Sequence, residues 1–152
     1  MPRYWLVKSE PSVYSIDDLT RDGQTHWDGV RNYQARNFLR DEMQVGDLVL
    51  FYHSNTDPPS VVGLAQVTRA GYPDHTALDP HDPHYDPKAT LEKPIWAMTD
   101  IKFVEKFPHS VSLNVLRDDP ALGGLALTRR GSRLSVLPVT EAHFQRIYAL
   151  SH

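Results

Sequence analysis

Gly46-Asp47-Leu48-Val49-Leu50-Phe51-Tyr52 is the stretch from which the fold can be read. Gly-Asp makes a turn, and the apolar residues behind it run on without polar alternation. Such a run reads as a strand covered on both faces. Upstream, Arg3–Glu10 begins in the same way with Tyr4-Trp5-Leu6-Val7. Downstream, Val61–Val67 makes the next strand, and Gly63 in its interior predicts a bulge. Ile95–Phe103 alternates in the manner of a sheet strand, and Arg133–Leu137 makes a last strand ending at Pro138.

Helices are short. Ser15 with Asp18 forms a capping box for one turn through Leu19, and Asn32–Met43 has helix-favouring composition with Phe38 and Leu39 inward. Ser112 caps a helix through Leu116. Thr140 caps the last helix, with Val139 and Phe144 at staple positions. Strands interrupted by short helices, without βαβ alternation, predict an α+β protein built as a mixed β-barrel of about five or six strands with peripheral helices. No Gly/Ser linker or repeat divides the chain, so residues 1–152 read as a single domain with a long polar loop at about 72–94.

The 152 residues carry 16 Lys+Arg against 19 Asp+Glu, a net charge of −3, which excludes a polycation that coats nucleic acid by bulk charge. The charge is uneven: residues 41–94 carry −6 and residues 128–152 carry +3. With no cysteine, disulfides, thiolate nucleophiles and Cys-ligated zinc are excluded. No apolar run nears the ~20 residues of a membrane span, and the N-terminus lacks a signal-peptide core. A cytoplasmic protein is expected, or a nuclear one in a eukaryote.

Phosphate-loop, dinucleotide-binding and nucleophile-elbow signatures are absent. The loop Asp79-Pro80-His81-Asp82-Pro83-His84-Tyr85-Asp86-Pro87 allows two readings, a His/Asp metal site or successive Asp-Pro turns with solvated side chains. No cofactor and no bound metal are expected. The segment from Trp27 to Asn37 is richer. It places Trp27, Tyr33, Arg31, Arg36 and three amides around Gly29, just before a helix. Amides pair with base edges, guanidiniums with phosphates, and aromatics stack on bases. The same residues also fit an N-capped helix with a Trp plug. Lys8-Ser9-Glu10 at a strand end and Arg129–Ser135, with three arginines and two hydroxyls, are of the same kind, and each also reads as solvated surface. At strand ends of a small barrel, such clusters can meet at one mouth.

These residues carry a family resemblance. YWLVKSEP, YSIDDL, WDGVRNYQARNFLRDEMQVGD, LFYHSN, YPD, YDPK and RLSVLPVT resemble the EVE domain, in the family's order, from about Tyr4 to Ile147. The resemblance implies a PUA-like fold and a reader module that holds one modified nucleobase in an aromatic-lined pocket, either modified cytosine in DNA or a modified RNA base. By motif, the pocket draws on Lys8, Ser9, Glu10, Trp27, Val30, Arg31, Asn32, Tyr33, Phe51, Tyr52, His53, Ser54, Arg133 and Ser135. Phosphate contacts fall to Lys8, Arg31, Arg36, Arg130 and Arg133. A protein partner that acts on the recognised site is a further expectation. Two alternatives remain: an enzyme acting on RNA or a nucleotide, with His53 or Glu10 as acid/base, and a small-molecule-binding regulator.

Overall fold

A computed structural model describes residues 3–128 and 134–152 of the chain. The strands are β1 (Tyr4–Ser9), β2 (Gln24–Trp27), β3 (Leu48–His53), β4 (Ser60–Pro73), β5 (Ala97–Ser112) and β6 (Val136–Val139). They form one mixed sheet in the order β2-β5-β4-β3-β1-β6. The β1–β3 pair is parallel and every other pair is antiparallel. Among the described residues β2 and β6 do not pair with each other, so the barrel stays unclosed.

The apolar runs of β1 and β3 are explained by burial on both sides of the sheet. Trp5, Val7, Val49 and Phe51 enter one core cluster with Ile16, Leu39 and Val67. Leu6, Leu50 and Tyr52 enter the other, with Leu137, Phe144 and Ile147. The period-2 alternation of a strand assigns successive residues to opposite cores. Asp47, in the turn before β3, is buried and accepts hydrogen bonds from the Arg3 N–H (3.0 Å), the Gln44 N–H (3.0 Å) and Trp5 Nε1–H (2.9 Å). It thereby fastens the start of β1 to the start of β3. Gly63 sits at the register shifts on both sides of β4, where an added Cβ would lie 2.6 Å from Ile16 Cδ1.

Among the described residues four α-helices flank the sheet: α1 (Ile16–Asp22), α2 (Tyr33–Asn37), α3 (Leu113–Asp118) and α4 (Glu141–Leu150), capped by Ser15, Asn32, Ser112 and Thr140. The Ser15–Asp18 capping box is complete, and its helix runs beyond the expected single turn. The helix expected over Asn32–Met43 instead breaks into α2 and a π-helical turn, Phe38–Glu42. β2 escapes the sequence reading because its alternation of exposed and half-buried residues lacks an apolar run. β5 starts two residues later than expected and continues to Ser112. The last strand is Val136–Val139 and contains Pro138, which an edge strand tolerates because the missing N–H faces away from the ladder. The polar loop has a small core of its own, Ala77, Ala89 and Trp96, with Trp96 Nε1–H donating to Asp86 at 2.7 Å.

Candidate functional site

A cleft of about 330 Å³ opens where β1 and β2 end, and Ser9, Tyr14, Thr25, Trp27, Asp28 and His84 line it together with Val13 and His26. Strand pairing brings several distant segments here. Ser9 is in register with His53, the Ser54 N–H donates to the Ser9 carbonyl (2.9 Å), and the Lys8 N–H donates to the Ser135 carbonyl (2.9 Å). The Glu10 carbonyl accepts from the N–H groups of Val13 and Tyr14, folding a turn that carries Tyr14 to the cleft. Ser9 Oγ–H then donates to the Tyr14 carbonyl at 2.5 Å.

Trp27 closes β2 and is half-buried. Its ring meets the fully buried Phe51 edge to face, with centroids 5.6 Å apart, so Phe51 fixes the indole from behind. His53 lies beyond Phe51 at 5.8 Å, and its Nε2 accepts the Ile16 N–H at 3.0 Å. Burial pushes the His53 pKa down, favouring the neutral ring that this hydrogen bond requires.

The residues after Trp27 divide sharply. Asp28 lines the cleft and makes no hydrogen bond or ion pair among the described residues. Burial, and after it the Asp74 carboxylate, raise its pKa above the ordinary aspartate value. Gly29 has φ +73°, and an added Cβ would lie 2.6 Å from the His84 ring, so both the backbone and the close approach demand glycine. Val30 is buried in the core. Arg31 donates to the His84 carbonyl from Nη2 (2.6 Å) and Nε (3.1 Å), and to Asp74 from Nη1 (3.1 Å), while its guanidinium lies over Trp96. Asn32 spends its side-chain oxygen on the N–H groups of Gln34 and Ala35. Tyr33 is 59% exposed and stacks on Trp96 at 5.0 Å. Arg36 lies over Tyr33 and donates to the Ile95 carbonyl at 2.9 Å.

Asp74 organises this second half. Fully buried, it accepts from the Gly29 N–H (2.8 Å), the Thr76 N–H (2.9 Å), the Thr76 hydroxyl (2.5 Å) and Arg31. Burial alone would raise its pKa; the donors from Thr76, Gly29 and Arg31 outweigh it and hold the carboxyl below the usual range.

The structure therefore brings Ser9, Trp27 and, behind it, Phe51 and His53 together, with Ser54 and Ser135 on the adjoining strand ends. Lys8 is half-buried, with its pKa lowered by burial, and Glu10 is exposed at the turn. Tyr52 belongs to the opposite core, because it follows Phe51 on a pleated strand. Arg31 and Arg36 are engaged by carbonyls rather than left free for phosphates. Arg130 and Arg133 lie outside the described residues. In the His-rich loop, Asp79, Asp82 and Asp86 accept the backbone N–H groups of His81, His84 and Lys88, which is the turn reading. That loop also supplies His84 to the cleft. Sequence reasoning left out Tyr14, Thr25, His26 and His84, and gave Asp28 no role of its own within the Trp27–Tyr33 motif. Thr25 and His26 had no recognised strand to stand on, and Asp28 was legible only as the neighbour of Trp27.

Relatives share this architecture. Thymocyte nuclear protein 1 of Rattus norvegicus is 41% identical, with the alignment covering 99% of this chain and 74% of that protein. A crystal structure of a protein from Pseudomonas putida matches with a TM-score of 0.94 at 50% identity, covering 98% of this chain and 99% of that one. Human THYN1, crystallised in complex with 5-methylcytosine-containing DNA, matches with a TM-score of 0.91 at 38% identity, covering 99% of this chain and 98% of that one. The sequence pattern described as the EVE domain matches residues 3–150, and this chain belongs to the EVE domain family.

Proposed function

We propose that this protein is a DNA-binding reader of modified cytosine, acting as one domain over residues 1–152. The observation that carries the reading is the cleft itself, an indole held edge-on by a buried phenyl ring and surrounded by polar side chains, in a chain whose human relative was crystallised with 5-methylcytosine-containing DNA. One nucleotide leaves the stack and enters the cleft. Extrusion costs a few kcal/mol, and stacking on Trp27 returns about 1–3 kcal/mol. Burying the methyl group adds about 0.8 kcal/mol, which is weak discrimination, so polar contacts must set the base identity. Lys8, which pairs with Tyr52 on the face of β1 opposite Ser9, reaches past the strand end to neutralise a phosphate flanking the extruded nucleotide.

The test is titration of the protein with matched oligonucleotides, DNA and RNA, single- and double-stranded, with and without one 5-methylcytosine. Tighter saturable binding to the modified DNA, lost in Trp27→Ala, supports the reading. Equal affinity for modified and plain strands, or a preference untouched by Trp27→Ala, overturns it. Preference for a modified RNA would make the protein an RNA reader instead, and cleavage of the oligonucleotide would replace the reading with that of an enzyme.

A further inference from the structure

The methyl group does not finish the recognition problem. 5-Methylcytosine and thymine carry the same methyl at ring carbon 5, and an apolar wall accepts both. They differ at position 4, where cytosine has an amino donor and thymine a carbonyl acceptor. A reader of modified cytosine therefore needs a hydrogen-bond acceptor that thymine would repel, because thymine is the more abundant methyl-bearing base in DNA.

Most polar side chains lining the cleft are already engaged. Ser9 donates its hydroxyl to the Tyr14 carbonyl. The Tyr14 hydroxyl donates to Asp22 at 2.9 Å. His26 Nδ1 is 2.7 Å from the buried Asp100 carboxylate. His84 Nδ1 is 3.2 Å from Asp82. Asp28 is the carboxylate in the lining, and among the described residues it has no donor, although it is half-buried beside the stacking indole of Trp27. Its chain neighbour Gly29 is pinned by Asp74, which fixes the backbone at this point.

We propose that Asp28 is the specificity-determining residue that accepts the position-4 amino group of a cytosine base and rejects thymine. The inference rests on the reader function proposed above. A carboxylate facing an amino group gains a charge-assisted hydrogen bond, whereas facing the thymine carbonyl it meets lone pairs. The raised pKa of Asp28 is consistent with this role, since burial penalises a charge that lacks a donor and a bound amino group would supply one.

The experiment compares wild type, Asp28→Asn and Asp28→Leu against DNA oligonucleotides that differ at one position carrying 5-methylcytosine, cytosine or thymine. Wild type should bind 5-methylcytosine tighter than thymine by roughly 10- to 100-fold, the range of one hydrogen bond to a charged group. Asp28→Asn can present either its oxygen or its NH2, so its preference over thymine should shrink to below roughly threefold with little loss of 5-methylcytosine affinity. Asp28→Leu should lose roughly tenfold or more on both cytosine bases and nothing on thymine. Melting temperatures no lower than wild type exclude unfolding as the cause.

If wild type separates 5-methylcytosine from thymine and both variants keep the same ratio, the Asp28 assignment is wrong while the reader function stands. If wild type binds all three oligonucleotides alike, the reader function falls and this assignment falls with it.

Discussion

Trp27 and Asp28 border the cleft, whereas Arg31, Asn32 and Arg36, a few residues further on, are occupied with the protein's own backbone. One half offers an indole and a carboxylate, the other guanidiniums and amides, and in isolation both look equipped to bind a nucleotide. Their partners separate them. Arg31 reaches across to the His84 carbonyl, and Arg36 to the Ile95 carbonyl, so both guanidiniums secure the polar loop against the helix α2 side of the site. A guanidinium suits either use, because its rigid fork of donors fits backbone carbonyls as well as phosphates. The first half borders the cleft and the second half holds the first in place.

The sharpest test of this division is Asp74→Ala. It leaves the Arg31 guanidinium without its carboxylate and the Gly29 N–H without an acceptor, and should cost about 3–5 kcal/mol in urea denaturation. The same carboxylate gives a pH signature. Its folded pKa lies below the unfolded value near ~3.9, so its stabilising contribution is complete above that value and is lost as pH falls through the folded pKa. Asp74→Asn should therefore lose less stability than wild type over that acid range.

Next in size is Arg31→Ala, which should lower stability by about 1.5–3 kcal/mol and leave the salt dependence of DNA binding unchanged. Lys8→Ala should behave oppositely, with a small change in melting temperature and a salt slope shallower by about 0.9. A fall of that size in the Arg31 variant would mean that Arg31 contacts a phosphate, and the division would fail. Asn32→Ala should cost about 1 kcal/mol, the value of a helix N-cap, with no change in base preference. The smallest effect belongs to Asp28→Asn in the absence of DNA. Because the folded pKa of Asp28 is raised, its charge weakens the fold as pH rises through that pKa, and the neutral amide should melt at or slightly above the wild-type temperature at pH 7.

Much of the framework was legible along the chain. The apolar runs of β1 and β3 announced burial on both faces, Gly63 its bulge, and Ser15, Asn32, Ser112 and Thr140 their helix starts. Such signals are local, because a cap or a strand period is complete within a few residues. β2 was missed because an edge strand need not be apolar, and with it the footing of Thr25 and His26 was lost. Trp27 and Ser9 were found through their motifs, but His84 stood in a loop that offered only turn signals.

Local periodicity and the motifs of the chain thus determined the family, the mixed strand-rich architecture and the segments from which a site is built. Which polar side chains remain available to a ligand was decided by tertiary structure alone. Arg31 is engaged by a carbonyl 53 residues away, and among the described residues Asp28 is left without a donor because Asp74, rather than Asp28, receives the Gly29 N–H and the Arg31 guanidinium. A hydrogen-bonding group can serve a ligand only if the fold has not already satisfied it, and that outcome depends on contacts between residues far apart in sequence.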